Sequence, residues 1–166
     1  MKANISFSKE SLTEAFKLHY NKKYPIKSRL MLIAGLALIA IGFIFVAINF
    51  AKNLPLLRHI ITLVGLAYVL LFFYRRKKLF ERAANQKTFQ GTFTFELNKH
   101  GLAFGKKNGV SKCAWNKIID IIEDENSILF YFGKDKFYIL PLQSLTEEQI
   151  QGTKQQIKKF YGEQNH

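Results

Sequence analysis

One unbroken apolar run constrains this chain more than any other feature. From Leu30 to Ile48 every residue is apolar or glycine. An α-helix rises about 1.5 Å per residue, so a helix over this run nearly crosses the roughly 30 Å hydrocarbon core of a bilayer. A secretory signal peptide has its apolar segment close to the N-terminus, whereas 29 residues precede this run. We therefore predict a first transmembrane helix over residues 30–50.

A second apolar stretch covers residues 55–74. Arg58 and His59 interrupt it early, and it then continues as IITLVGLAYVLLFFY. Pro55 suits the first turn of a helix, and an arginine near a helix end can extend its charge to the headgroups. We predict a second transmembrane helix over residues 55–74, joined to the first by an extracytoplasmic loop at 51–54. The alternative is the buried core helix of a soluble protein.

Positive charge is concentrated beside the apolar stretches. The net charge is +13, but residues 89–166 hold ten basic and nine acidic side chains. A nucleic-acid-binding protein usually carries its basic patch on the recognition module, so we expect no nucleic-acid partner. Basic flanks and a short, less basic loop instead predict a multi-pass protein of the cell inner (plasma) membrane with both termini cytoplasmic. The candidate contacts to anionic lipid headgroups are Lys22, Lys23, Lys27, Arg29, Arg75, Arg76, Lys77, Lys78, Lys106 and Lys107.

Two segments border the predicted spans. Residues 75–87 form a basic juxtamembrane stalk, which either lies on the inner leaflet or continues the second helix. Residues 1–29 contain a short alternating strand, NISFS, and then a helix with Leu12, Ala15 and His19 on one face. An unpaired edge strand invites pairing, so we predict that NISFS pairs with an edge of the C-terminal sheet.

Residues 88–166 have the pattern of a soluble, sheet-rich domain. In FQGTFTFEL apolar residues alternate with polar ones, and five further short strand patterns follow, separated by turn sequences. Thr146 and Gln149 then have the spacing of a capping box that opens an amphipathic helix. We predict an α+β membrane protein, in which a two-helix hairpin carries a cytoplasmic, pleckstrin-homology-like (PH-like) antiparallel barrel or sheet capped by a C-terminal helix.

The order of these parts carries a family resemblance. The chain contains, in order, a short strand and helix, two apolar spans, a basic stalk, and a strand region with Trp115, Ile118 and Ile121 followed by ILFYF and FYILPL. This order of parts resembles the YcxB-like family of small bacterial membrane proteins. The resemblance extends over essentially the whole chain and is densest from Trp115 to Leu142. It implies a membrane-anchored domain and brings no catalytic residues with it.

The sequence contains few residues with the spacing of a catalytic or metal-binding site. The four histidines have no metal-ligand spacing, and Cys113 has no partner nearby in sequence that would activate it. Trp115 is either a core residue or a ligand-stacking residue. We therefore expect no catalytic residue, metal or cofactor, and predict a non-enzymatic protein.

The expected partners are the bilayer with its anionic inner leaflet and a protein that the domain recruits. The domain either recruits that protein or senses anionic lipid. The alternative function is a structural or accessory subunit of a larger membrane complex. Gly35 and Gly42 lie on one face of the first span, where small residues allow helices to approach closely. This face either packs the two helices of the hairpin against each other or forms the contact of a homo-oligomer.

Overall fold

The predicted second span and residues 75–84 of the predicted stalk form one helix. The structure is a computed structural model that describes residues 1–26, 29–48, 55–106 and 109–162. The predicted loop at 51–54, the end of the first span at 49–50, and Lys27 and Lys107 lie outside the described residues. Within the described part the four α-helices are α1 (Lys9–Lys23), α2 (Leu30–Ala47), α3 (Pro55–Ala84) and α4 (Glu147–Phe160).

In the part of the chain that the structure describes, seven strands form two antiparallel sheets. One sheet has the order β1-β2-β3-β4 and the other the order β5-β6-β7. The strands are β1 (Lys2–Ser6), β2 (Thr92–Asn98), β3 (Gly101–Lys106), β4 (Gly109–Ala114), β5 (Asp120–Glu123), β6 (Ser127–Tyr131) and β7 (Phe137–Pro141). The prediction of an α+β protein with antiparallel strands is confirmed.

No backbone ladder joins the two sheets among the described residues, so the strands form no closed barrel and the predicted barrel is replaced by two sheets. At the β4 edge of the first sheet, a short 3-10 turn at Trp115–Lys117 follows β4 and interrupts the extended chain before β5. At the other edge of the first sheet, Ser144 Oγ donates a hydrogen bond to the carbonyl of Ser6, the last residue of β1, at 3.1 Å.

The strand predicted over NISFS corresponds to β1, which begins two residues earlier and ends at Ser6, and it pairs with β2 as predicted, about half of the chain away. Ile5 lies opposite Phe93 and Ala3 opposite Phe95 in antiparallel register. Ile5 and Phe95 are fully buried in the core that the two sheets share. The N-terminal residues therefore complete a sheet whose other strands follow both long helices.

Strand β6, the middle strand of the second sheet, is buried on both faces. Ile128 and Phe130 of β6 contribute to the core between the sheets. Leu129 and Tyr131 point to the opposite side, into a second cluster with Leu12 and other residues of α1. This explains why the β6 sequence SILFY is apolar without alternation, since a strand covered on both faces has no solvent side.

Helix α4 begins as its local sequence predicts. Thr146 is the N-cap: its hydroxyl accepts a hydrogen bond from the Gln149 amide, and the Gln149 side chain accepts one from the Thr146 amide. Ile150, Ile157 and Phe160 pack against the core between the sheets. The helix covers the end of that core.

The described chain divides into two compact units. The α+β unit comprises residues 1–19 and 82–166, and the helical unit comprises residues 20–81. Residues 9–19 of α1 thus belong with the sheets, although two long helices separate them in the sequence from β2 and the later strands.

Candidate functional site

Helices α2 and α3 expose apolar side chains around most of their surface. Both are long and apolar enough to cross a membrane, and among the described residues of α2 only Gly35 and Gly42 are buried. The core helix of a soluble protein buries most of its apolar side chains, whereas only 11% of each candidate span is buried. The exposed large apolar residues include Leu30, Ile33, Leu36, Phe43, Ile44, Leu63, Leu66, Leu70, Leu71 and Phe73.

The same two helices pack against each other through glycines. A Cβ atom at Gly65 would lie 2.8 Å from the Gly35 carbonyl oxygen, and a Cβ at Gly35 would lie 2.8 Å from a methyl group of Val69. A Cβ at Gly42 would overlap the Thr62 side chain. Only residues without a side chain allow this approach, and the described structure uses the small-residue face inside the hairpin.

The described basic residues that flank the spans lie within the helical unit. Lys22 and Lys23 are in the last turn of α1, Arg29 is the N-cap of α2, and residues 75–78 follow one another along α3. Tyr20 of α1, Met31 of α2 and Arg75 of α3 line one cavity. The end of α1 and the start of α2 therefore lie beside the basic part of α3. We call Lys22, Lys23, Arg29 and residues 75–78 together the basic collar.

Arg76 is the most enclosed arginine of the basic collar. It is half-buried, and its Nη2 donates a hydrogen bond to Asn21 Oδ1 at 2.7 Å. Its guanidinium carbon lies 5.7 Å from the ring centroids of both Phe72 and Phe80, which is cation–π distance. Packing on two rings and one amide holds the guanidinium in place.

Lys106 is the described candidate contact that lies outside the basic collar. It ends β3 in the α+β unit, and its Nζ lies 5.0 Å from the centroid of the Phe93 ring. This distance is within the range of a cation–π contact.

A cleft of about 470 Å³ lies along β2, β3 and β4 of the α+β unit. Its lining mixes charges, with Glu96 on β2, Lys112 on β4 and Lys117 in the 3-10 turn that follows β4. Glu96 accepts a hydrogen bond from the Asn98 side chain at 3.2 Å. The opposite charges partly compensate one another in this cleft.

A buried histidine cluster was not predicted from the sequence. His19 Nδ1 lies 2.8 Å from Tyr131 Oη, and His19 Nε2 lies 4.0 Å from Asp135 Oδ1. The imidazole also stacks on the Phe137 ring at 4.6 Å between centroids. The signal in the sequence was a histidine on the otherwise apolar face of α1, and its partners are more than a hundred residues away.

Cys113 and Trp115 both belong to the core between the sheets. Burial raises the pKa of the Cys113 thiol, and the nearby positive charge of Lys117 offsets part of that rise. Trp115 Nε1 donates a hydrogen bond to the Asn98 carbonyl at 2.9 Å, and its ring stacks with Phe160 of α4. These contacts make Trp115 a core residue.

A search of the described residues finds no group of three or more histidine, cysteine, aspartate or glutamate side chains arranged to hold a metal ion.

Two family models match parts of this chain. The model of the family described as YcxB-like protein matches residues 97–157, and the model described as CAAD domains of cyanobacterial aminoacyl-tRNA synthetase matches residues 16–98, half of the chain. No curated protein and no solved structure matches. The first match covers most of the strands and α4, and the second covers both long helices. Over residues 16–98, half of its length, the chain belongs to the family described as CAAD domains, and residues 97–157 are a YcxB-like domain, as the sequence resemblance predicted.

Proposed function

We propose that this protein is a non-enzymatic, multi-pass protein of the inner membrane, in which the hairpin of α2 and α3 anchors the YcxB-like domain. The observation that carries the proposal is the exposure of large apolar side chains around both helices. Leu63 and Leu70 are each 62% exposed, and Phe43 is 64% exposed. In water this arrangement costs about 25 cal/mol for each Å² of apolar surface left uncovered, whereas lipid covers it. A bilayer is therefore the environment that suits these helices.

The basic collar supports an orientation with both termini in the cytoplasm. It lies where α1 ends, α2 begins and the apolar part of α3 gives way to four consecutive cations, at residues 75–78. Basic residues close to transmembrane ends are retained on the cytoplasmic side. Each also gains about 1 kcal/mol from the anionic inner leaflet. The YcxB-like domain, which follows the collar in sequence, would then lie at the cytoplasmic face.

The domain supports an adaptor role. Sheets of four and three antiparallel strands followed by a C-terminal helix have the element order of a PH-like domain, with β1 supplying the first strand. In the described part of the domain, Val110 and Ile119 are large apolar residues that are 49% and 59% exposed. We propose these two side chains as points of contact with a recruited protein. We propose that the anchored domain recruits a protein or senses anionic lipid.

Carbonate extraction combined with tag accessibility tests the anchor and its orientation. We expect the full-length chain to remain in membranes at alkaline pH, and tags at both ends to be cleaved only after the cells are opened. Release by carbonate would overturn the anchor. Cleavage of either tag in intact cells would overturn the orientation but leave the anchor standing.

Site-specific photo-crosslinking in cells separates recruitment by the domain from assembly through the helices. One probe is placed at Ile119 in the domain and the other at Leu63 in α3. Discrete protein adducts from Ile119, with lipid adducts from Leu63, support the adaptor proposal. Protein adducts from Leu63 alone would contradict it and favour the alternative of an accessory subunit in a larger membrane complex.

A further inference from the structure

A cavity of about 270 Å³ opens within the helical unit, at the level of the basic collar. Its walls come from three helices: Tyr20 of α1, Met31 of α2, and Phe72 and Phe80 of α3. Phe72 and Phe80 are only 6% and 4% exposed, so the floor of the cavity is firmly packed and apolar. Tyr20 and Phe80 meet edge to face at 5.8 Å between ring centroids, which joins α1 to α3 beside the cavity.

Two arginines line the same cavity. Arg75 is exposed, and Arg76 is half-buried between the two phenylalanine rings and the Asn21 amide. Within the described part of the chain, neither guanidinium forms an ion pair with a carboxylate. A partly desolvated cation whose protein partners are neutral favours an anion from outside the protein. The cavity therefore combines an apolar floor with two guanidinium groups that the described residues leave without counter-charge.

We propose that this cavity binds one anionic phospholipid. Its acyl chain would lie against Phe72, Phe80 and Met31, and its phosphate would be held by Arg75 and Arg76. Guanidinium groups bind phosphate oxygens with paired, charge-assisted hydrogen bonds. A basic pocket between helices on the cytoplasmic side is a favourable place for an anionic headgroup.

The proposal rests on the proposed membrane anchor and deepens it in one respect. General attraction between a polybasic segment and an anionic leaflet depends on the number of charges. A cavity site depends on which cations line it. The site also lies in the hairpin, so it would act as a lipid sensor separate from the YcxB-like domain.

A charge-matched pair of variants tests the site in the full-length chain. The protein is reconstituted in nanodiscs of phosphatidylcholine with or without phosphatidylglycerol, then released into mild detergent, and retained lipid is counted by native mass spectrometry. We expect the wild type to retain one phosphatidylglycerol and R75Q/R76Q to lose it, with an affinity about tenfold lower. K77Q/K78Q removes the same charge from cations that do not line the cavity, and it should retain the lipid.

Equal loss in both double variants, or no preference of the wild type for phosphatidylglycerol over phosphatidylcholine, would overturn the site. Displacement of the lipid by soluble glycerol phosphate at similar concentration would also overturn it, because the apolar floor would then contribute nothing. R75Q alone alters an exposed side chain and keeps the Arg76 contacts, so a reduced affinity in this variant is not a folding defect. A chain that stays in carbonate-washed membranes but retains no specific lipid contradicts this site and leaves the anchor intact.

Discussion

The imidazole of His19 and the hydroxyl of Tyr131 lie 2.8 Å apart in a buried contact between α1 and β6. His19 is 6% exposed and Tyr131 is fully buried. His19 is also the last residue of α1 that belongs to the α+β unit. The contact therefore holds the N-terminal helix on the sheet next to the point where the helical unit begins.

Replacing His19 by phenylalanine should destabilise the domain. H19F preserves a ring against Phe137 but removes the nitrogen that faces Tyr131, so we expect a loss of about 1–3 kcal/mol in the free energy of unfolding. Urea denaturation of the full-length protein in detergent measures it. H100F, at an exposed turn position, should stay within about 0.5 kcal/mol of the wild type. Equal stability of H19F and the wild type would refute the structural role of this contact.

Truncating Ile5 should weaken the first sheet. Ile5 is fully buried opposite Phe93, so I5A should cost about 2–5 kcal/mol and accelerate amide hydrogen exchange in β2. S6A changes an exposed neighbour on the same strand and is the control. If β2 exchanges at the same rate in I5A as in S6A, β1 does not support the sheet in solution.

A large residue at Gly65 should separate the two long helices. In G65L the new side chain would collide with backbone atoms of α2, since even a Cβ would lie 2.8 Å from the Gly35 oxygen. We expect a lower unfolding temperature in detergent and faster proteolysis between the helices. A67L adds the same side chain at an exposed position of α3 and should behave like the wild type. Identical melting of the two variants would contradict the glycine contact.

Trp115 is the only tryptophan of the chain, so its fluorescence reports on the core directly. It is 3% exposed, and we expect blue-shifted emission that iodide does not quench in the folded state. W115F removes the hydrogen bond to the Asn98 carbonyl and should cost about 1–3 kcal/mol of stability. Strong quenching of the wild type by iodide would instead favour an accessible, ligand-stacking role.

The Cys113 thiol should make stability depend on pH in the alkaline range. Because burial raises its pKa above the ordinary thiol value of about 8.5, the unfolded chain loses this proton first as the pH rises. The protonated thiol therefore stabilises the fold in full below its ordinary pKa, which applies to the unfolded chain. This stabilisation is lost as the pH rises through the higher pKa of the folded protein. Unfolding free energies of the wild type and C113A, compared between about pH 7 and pH 10, should converge or cross as pH rises.

Thiol alkylation checks the same property independently. The folded protein should react slowly with iodoacetamide at neutral pH and reach the rate of the denatured chain only in strong base. Rapid alkylation of folded protein at neutral pH would contradict a buried, protonated thiol.

Features that depend on neighbouring residues were predictable from the sequence. The apolar runs of α2 and α3, the alternation in β2 and the capping box at Thr146 involve residues within a few positions of one another. Periodicity and spacing report such features directly. Gly35 and Gly42 were also identified as a packing face, because seven residues bring a helix back to the same side.

Most features that depend on distant residues were not predictable, and the pairing of the N-terminal strand with the C-terminal sheet is the exception. The buried state of His19 comes from Tyr131, Asp135 and Phe137, which lie on a hairpin at the far end of the sequence. The Arg76 contact with Asn21 likewise joins α3 to α1 across the first span. A single sequence holds no signal that pairs such positions.

The sequence by itself determined where this chain is apolar, where it is charged and where its helices and strands begin, because these properties follow from local composition and hydrogen bonding. Only the tertiary structure decided that the strands form two sheets rather than a barrel, that β6 is covered on both faces, and that two arginines and an apolar floor share one cavity. The physical reason is that burial and charge compensation arise from packing between segments far apart in the chain, where each group's environment is set by partners that its neighbours in sequence do not specify.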